Sequence, residues 1–452
     1  MSNMLTQADI KFITDNEKGD VSRLLLGKAP QGVNLQLSCK CIQAREKMRI
    51  KAPLWYSNPA LVYPFSVSVE QGSSQTTALF KQKIIAELLG DGSLSGNVGI
   101  FVDGQGNLVE RGECGSESSG RNIVTADLTG GMGIDSYFIS RIADKHFYFE
   151  RNRELCEATA YNLEQLGAEN VVLQNRDVTQ DDCAALRELE GKGVSLLYID
   201  PARRTETGGK AILLQDYEPN VIELQERMFA VSRYILVKVS PMADIKLNMK
   251  HLPKTRAVYV VAVDNECKEL LFLLDREHNG ANGAATGNEL NCTEPVVYCV
   301  DCNSRTGEIG TFELKVSEEE VAAAKFAGTI GTYLYEPGKA VMKGGAYKLV
   351  SQRFNCGKLA PSTHLYTSDT LIKDFPGKVF SVEEVIPFNK KTLKELVKRY
   401  PKADLTARNF PLDTNSLKKM SGIKDGGNRH IFAVTLSNGD KVLIITAYVV
   451  YL

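Results

Sequence analysis

The sequence has few cysteines, ten in 452 residues, scattered at positions 39, 41, 114, 156, 183, 267, 292, 299, 302 and 356. That density excludes a disulfide-built scaffold and leaves reduced thiols as the expectation. Cys299-Val-Asp-Cys302, with Cys292 upstream, falls short of the two cysteine pairs or Cys/His quartet of a structural zinc site, so no metal is expected. No window approaches the ~18 uninterrupted apolar residues of a membrane span. Residues 1–20 lack a basic stretch followed by an apolar core. The expectation is a cytoplasmic protein with no membrane partner. An excess of one charge is missing too: 54 Lys and Arg face 55 Asp and Glu, for a net charge of −1.

What is present is a globular composition. Hydrophobic residues make up 43% and charged residues 24%, as in soluble chains with a real core rather than disordered or fibrous ones. The length suits roughly two to four domains of about 100–200 residues. Charge is unevenly placed. From residue 376 onward thirteen Lys and Arg stand against seven Asp and Glu, a surplus of six that leaves −7 for the rest. Such a basic segment suits a polyanion, nucleic acid above all, and a solvated charged helix carries the same signature.

Residues 1–80 show helical stretches and proline punctuation without strand alternation, and read as a mostly helical N-terminal region. A helix over 76–90 places Leu79, Ile84 and Leu88 near one face and stops at Gly90. Within the next region, 81–278, a loop over 103–120 rich in Gly, Ser and charge precedes short apolar runs at 123–127, 147–150, 170–173, 195–199 and 234–239. These alternate with helical patterns, the sequence form of a doubly wound parallel sheet in an α/β fold. Runs at 257–263 and 269–274 follow across only five residues, too few for a helical crossover, so they are expected to form an antiparallel hairpin. The stretch 278–290, rich in Gly, Ala and Asn, reads as a linker. A middle β-rich region at 290–375 opens with strand-like runs at 295–300 and 310–316. The last segment, 376–452, reads as an α+β module. Asn389 caps a helix with Leu393, Leu396, Val397 and Tyr400 on one stripe, and Pro401 stops it. Asp413 caps a second helix that ends near Gly422, and Asn438-Gly439 turns a final hairpin.

Three acids at strand ends stand out. After the first strand comes Asp127-Leu-Thr129-Gly130-Gly131-Met-Gly133, a turn whose glycines let backbone approach a ligand and whose following helix offers free N–H groups. An ordinary tight turn reads the same way. Glu150, ending the second strand, suits the two ribose hydroxyls of an adenosine cofactor, without separating S-adenosylmethionine from NAD. Asp177, followed by Val178, comes after the third strand, where a carboxylate can meet an adenine amino group or simply face solvent. The fourth strand ends in Asp200-Pro201-Ala202-Arg203-Arg204.

With this last turn the chain resembles the class I S-adenosylmethionine-dependent methyltransferases, whose Rossmann-like sheet also finishes in an antiparallel hairpin. The resemblance implies S-adenosylmethionine as cofactor, held by Asp127, Thr129, Gly130, Gly131, Gly133, Glu150, Asp177 and Val178. It implies catalysis at Asp200 and the Pro201 carbonyl, which in enzymes acting on exocyclic amino groups hold the acceptor nitrogen with its lone pair toward the methyl group. Ala202 and Arg203 replace the second proline and the aromatic of that motif. Arg203 and Arg204 suit a phosphate, or pair with nearby carboxylates. Together with the Lys238-Val-Ser-Pro241 turn and the basic last segment, the chain is similar to bacterial methyltransferases carrying a THUMP-like C-terminal domain, distant relatives of the RNA cap guanine-N2 methyltransferases. That likeness implies a ferredoxin-like middle domain. It also implies RNA as partner, methylated on a base amino group and contacted by Lys238 and by Lys390, Lys391, Lys394 and Lys398. Gln71-Gly-Ser-Ser-Gln-Thr-Thr-Ala78 and Lys81 match the segment leading into the catalytic domain, where they would cover the cofactor or form a Thr-capped helix start. A protein or small-molecule acceptor, or a non-catalytic RNA-binding role on the same scaffold, stays open.

Overall fold

The computed structural model describes residues 4–90, 99–102, 108–111, 122–203, 213–278 and 293–449. The loop at 103–120 falls largely outside these residues, as does the linker read at 278–290, and Arg204 lies outside them. The chain divides into two compact units, one dominated by residues 1–264 and 268–295 and the other by 310–452.

The first unit begins with helices. The longest early one, α1 (Leu35–Lys51), buries Leu37, Cys41, Ile42 and Met48. Helix α2 (Gln75–Leu89) is capped by Ser74, whose Oγ accepts from the Thr77 N–H at 3.2 Å, so the cap is a serine where a threonine was expected. It ends at Gly90 in the left-handed conformation, φ +81°.

Next come β1 (Val124–Asp127), α3 (Ile134–Ser140), β2 (Lys145–Phe149), α4 (Arg153–Gln165), β3 (Val171–Gln174), β4 (Val194–Ile199), α5 (Val221–Val231), β5 (Tyr234–Val239), β6 (Thr255–Val263) and β7 (Glu266–Asp275). Every residue of β1 is buried, which is why it reads as an unalternating run. Strands β1 to β5 pair in parallel, and β7 runs antiparallel beside β5, from Leu270 opposite Val239 to Asp275 opposite Tyr234. Within the first unit the strands follow the order β3-β2-β1-β4-β5-β7-β6. The chain winds outward from β1 to β3 and returns to β4, so a crevice opens at the carboxyl ends of β1 and β4. The gap between β6 and β7 shrinks from the expected five residues to Asp264 and Asn265, both at positive φ (50° and 63°), because β7 begins three residues ahead of its apolar run.

The N-terminal helices share one core with α3 and α4: Met48, Trp55 and Tyr63 cluster with Phe138, Leu155 and Leu163. The Asn162 side chain seals the seam, accepting from Val62 N–H at 2.7 Å and donating to Val62 O at 2.8 Å.

The second unit contains β8 (Val296–Cys302) and β9 (Ile309–Lys315), then a seven-stranded sheet. Its strands are β10 (Tyr333–Pro337), β11 (Gly357–Ala360), β12 (Thr363–Ser368), β13 (Gly377–Pro387), β14 (Asp404–Arg408), β15 (His430–Thr435) and β16 (Lys441–Tyr448), in the order β11-β12-β10-β13-β16-β15-β14. Helix α6 (Lys390–Arg399) is capped by Asn389 Oδ1, which accepts from the Lys391 and Thr392 N–H groups at 2.9 Å. Helix α7 (Thr414–Ser421), capped by Asp413, provides the crossover between the parallel pair β14 and β15. Strand alternation sorts the core: Ile431, Ala433, Leu443 and Ile445 join Leu393, Leu396 and Leu417, while Phe432, Val434, Val442 and Ile444 join Leu334 and Phe380. No helix among the described residues is long and apolar enough to cross a membrane.

Candidate active site

The turn after β1 is held from within. Asp127 is 1% exposed; its Oδ1 accepts from the Thr129 N–H at 3.0 Å and its Oδ2 from the Ser136 hydroxyl at 2.6 Å. This acid therefore faces inward and shapes the turn, where the sequence had suggested a ligand contact. Burial pushes its carboxyl up to about 7, against the opposing hydrogen bonds from Ser136 and Thr129. A raised folded-state value means the native protein keeps a proton that the unfolded chain releases near pH 4, so stability should fall as pH rises from about 4 to 7. Asp127→Asn, which mimics the protonated form, should flatten that slope. Denaturant midpoints at pH 5 and pH 8 check it, and an equal shift of the variant at both pH values would count against it.

Glycine is required twice in this turn. A Cβ on Gly130 would sit 1.9 Å from the Tyr148 ring, and Gly133, at φ +78°, would meet Thr159 at 2.5 Å. The Tyr148 hydroxyl and the Thr159 hydroxyl both donate to Gly131 O, at 2.5 and 3.0 Å. Glu150 lies across the turn. Its Oε2 accepts from the Gly131 N–H at 3.0 Å and its Oε1 from the Asn152 N–H at 2.7 Å. With its ends fixed by backbone, the half-buried carboxylate keeps lone pairs for a diol. Asn175 donates to Glu150 O at 2.8 Å and so ties the loop after β3 to the same edge. In that loop Asp177 Oδ1 accepts from the Thr179 N–H and hydroxyl, and Val178 is buried. The donor set fits an adenosine cofactor: partly exposed carboxylates after β2 and β3, beside a turn with open space at Gly131.

Thr129 links this turn to the end of β4, its Oγ1 accepting from the Asp200 N–H at 2.7 Å. Beyond Pro201, Ala202 and Arg203 pair antiparallel with Glu218 and Tyr217. The Arg203 side chain lies outside what is described. Lys238, expected from the resemblance as a substrate contact, places its ammonium 2.5 Å from Asp200 Oδ2.

That pair belongs to a buried ionic chain that sequence reasoning missed. Lys81, fully buried, lies 2.5 Å from Glu269 Oε1 and 3.3 Å from Asp135 Oδ1. Asp135 Oδ2 accepts from the Ser73 hydroxyl at 2.6 Å and the Tyr198 hydroxyl at 2.8 Å. Burial works to raise the Asp135 carboxyl, but the Lys81 and Lys238 ammonium groups outweigh it and hold it below the ordinary aspartate value. From the segment at 71–81, Ser73 and Lys81 thus point into this ionic chain. A signal was present: Glu269 is a charged residue at the head of the apolar run 270–274, and Lys81 stands between Phe80 and Ile84 on a buried helix.

In the second unit, Lys391, Lys394 and Lys398 are exposed on the side of α6 opposite Leu393 and Leu396. The helix begins at Lys390, whose side chain is not described. Cys299 and Cys302 are buried, and no metal-ligating cluster is found among the described residues.

Residues 333–376 match a ferredoxin-like domain family and residues 377–447 the THUMP domain-like family. No curated protein matches the chain. The chain is similar over 99% of its length, and 100% of the other's, to the crystal structure of a candidate methyltransferase from Porphyromonas gingivalis W83, with 27% identity and a TM-score of 0.78. An rRNA methylase from Streptococcus thermophilus has 13% identity over 34% of this chain and 88% of its own, with a TM-score of 0.25. A candidate methyltransferase from Streptococcus mutans, in complex with SAH, has 17% identity over 34% and 89%, with a TM-score of 0.26. The strand order of the first unit and the two domains matched in the second give the chain a class I methyltransferase fold followed by a ferredoxin-like and a THUMP domain-like domain.

Proposed function

We propose that this protein transfers the methyl group of S-adenosylmethionine to an exocyclic amino group of a base in RNA. The observation that carries the reading is the 2.7 Å bond from the Asp200 N–H to Thr129 Oγ1, which makes the acceptor carboxylate and the glycine turn one structural unit. Glu150 would hold the ribose hydroxyls, Asp177 and Val178 the adenine, and Gly130 and Gly131 the amino-acid end. The cofactor supplies an electrophilic methyl group on a sulfonium. Asp200 and the Pro201 carbonyl accept the two amino N–H groups, so the nitrogen lone pair points away from them toward that methyl group. As the N–C bond forms and the sulfonium–methyl bond breaks, S-adenosylhomocysteine would leave, the positive charge developing on nitrogen would be met by the Asp200 carboxylate already in place, and the surplus amino proton would pass by way of that partly exposed carboxylate to solvent.

The exposed lysines of α6 supply phosphate contacts. Replacing Lys391, Lys394 and Lys398 by alanine should weaken RNA binding and reduce the slope of log affinity against log salt by about 2, at ~0.7 per phosphate on a single strand. An unchanged slope would place the RNA on another surface. The reading itself is tested by transferring labelled methyl groups to macromolecules from a strain lacking the protein, then digesting with ribonuclease or protease. Ribonuclease-sensitive label is expected; protease-sensitive label would move the acceptor to protein, and no label would leave a binding role.

A further inference from the structure

The acceptor carboxylate is gripped from behind by the N-terminal segment. Ser73, between the helix Ser66–Gln71 and α2, donates to Asp135 Oδ2 at 2.6 Å and accepts from Lys81 Nζ at 3.3 Å and from Lys238 Nζ at 3.2 Å. Its hydroxyl has one proton and two lone pairs, and each is engaged by a charged group. Lys238 Nζ then donates to Asp200 Oδ2 at 2.5 Å. Asp200 Oδ1 has no hydrogen bond among the described residues, and the side chain is 33% exposed while that of Lys238 is 12% exposed. One carboxylate oxygen is thus tied to Lys238, while the other has no hydrogen-bond partner among the described residues.

We infer that Ser73 and Lys238 are positioning residues of the acceptor site: by engaging Oδ2 they fix the Asp200 carboxylate so that Oδ1 alone is presented to the incoming amino group. The inference rests on the role proposed above for Asp200. Aspartate χ2 is a soft torsion with a broad well. A carboxylate hinged only at its backbone would therefore swing and offer either oxygen, whereas methyl transfer needs the nitrogen lone pair aligned on one line. Lys238 does not act as a proton acceptor. Burial draws on its proton, but Asp200, Asp135 and Glu269 outweigh burial and hold the ammonium protonated well above the usual lysine range. The hydroxyl of Ser73 sets where that ammonium sits, and Ser73 comes from the helical segment ahead of the sheet. The N-terminal helices are thereby part of the acceptor site.

The test compares kcat and KM for RNA methylation, and Kd for S-adenosylmethionine, in Ser73→Ala, Ser73→Thr and Lys238→Met, with Ser73→Ala also made in an Asp200→Asn background. Ser73→Ala should lower kcat about tenfold and Lys238→Met about 100-fold, in line with the loss from a ~1 Å misplacement. Cofactor Kd should stay within about twofold, and Ser73→Thr should restore kcat. With Asp200 already replaced, Ser73→Ala should change kcat by less than about twofold, since its effect passes through that carboxylate. The same fold-loss in both backgrounds would show a merely structural role and overturn the inference. Wild-type kcat in Ser73→Ala, with Asp200→Asn inactive, would overturn it while leaving the role of Asp200 standing. A wild-type protein that methylates no RNA, or an Asp200→Asn protein of full activity, would reject that role and this inference together.

Discussion

Asp200→Ala should lower kcat for methyl transfer by about 100- to 1,000-fold, the loss typical when one preorganised charge-stabilising group is removed from a transition state. Affinity for S-adenosylmethionine should change by less than about threefold, because the groups assigned to the cofactor, Glu150 and the loop after β3, are held by backbone bonds of their own. The two readouts separate acceptor from cofactor function. Alanine leaves the Lys238 ammonium without its closest partner, so Asp200→Asn is the companion variant that keeps the shape of the site. Unaltered kcat in both would remove Asp200 from the chemistry, and a lost cofactor affinity with intact kcat would exchange its role with that of Glu150.

The largest effect on stability is expected from Lys81→Met. The ammonium is fully buried between Glu269 and Asp135, and removing one member of a buried ionic set typically costs about 3–5 kcal/mol because the remaining charges stay in a medium that solvates them poorly. Asp135 would retain the Ser73 and Tyr198 hydroxyls, but Glu269 would lose its 2.5 Å partner. Lys81→Met combined with Glu269→Leu should therefore recover much of the loss, since an apolar pair of similar volume can replace a buried ion pair. Denaturant titration of both variants provides the measurement. A loss below about 1 kcal/mol in the single variant, or a deeper loss in the double, would mean that the chain of charges is not what holds α2 to β7.

The sheet was legible because buried parallel strands leave an apolar run that needs no alternation, as in β1, β4 and β5. Asn389, Asp413 and the Asn438-Gly439 turn were legible for a local reason: each satisfies backbone groups within a few residues of itself. The partners of charged residues were not legible. Lys81 and Glu269 are 188 positions apart, and only folding brings their strand and helix together. Lys238 looks like any basic residue near a crevice until its ammonium is seen on Asp200, and Asp127 looks like a ligand acid until its lone pairs are found on Thr129 and Ser136. Arg399 of α6 is 2.6 Å from Glu384 on β13 and lies against the Tyr400 ring, so the basic face of the helix is made of its lysines.

Strand β13 runs for eleven residues, all within the THUMP domain-like range. Along one edge it meets β10 of the ferredoxin-like range, Tyr333 opposite Ser381 through Pro337 opposite Gly377; along the other it meets β16, from Phe380 opposite Tyr448 to Pro387 opposite Val442. The boundary between two sequence families therefore falls inside a single hydrogen-bonded fabric. Evolution could lengthen or decorate either half, but neither can swivel against the other without tearing a ladder of main-chain bonds. For anyone cutting this protein into pieces, residue 376 is a seam in the alignment and not in the molecule. A fragment ending there would expose the bare edge of β10, a template for unwanted strand pairing. The lysines of α6 are accordingly presented by a stiff seven-stranded platform, and whatever they hold is held at one orientation to the whole of that platform.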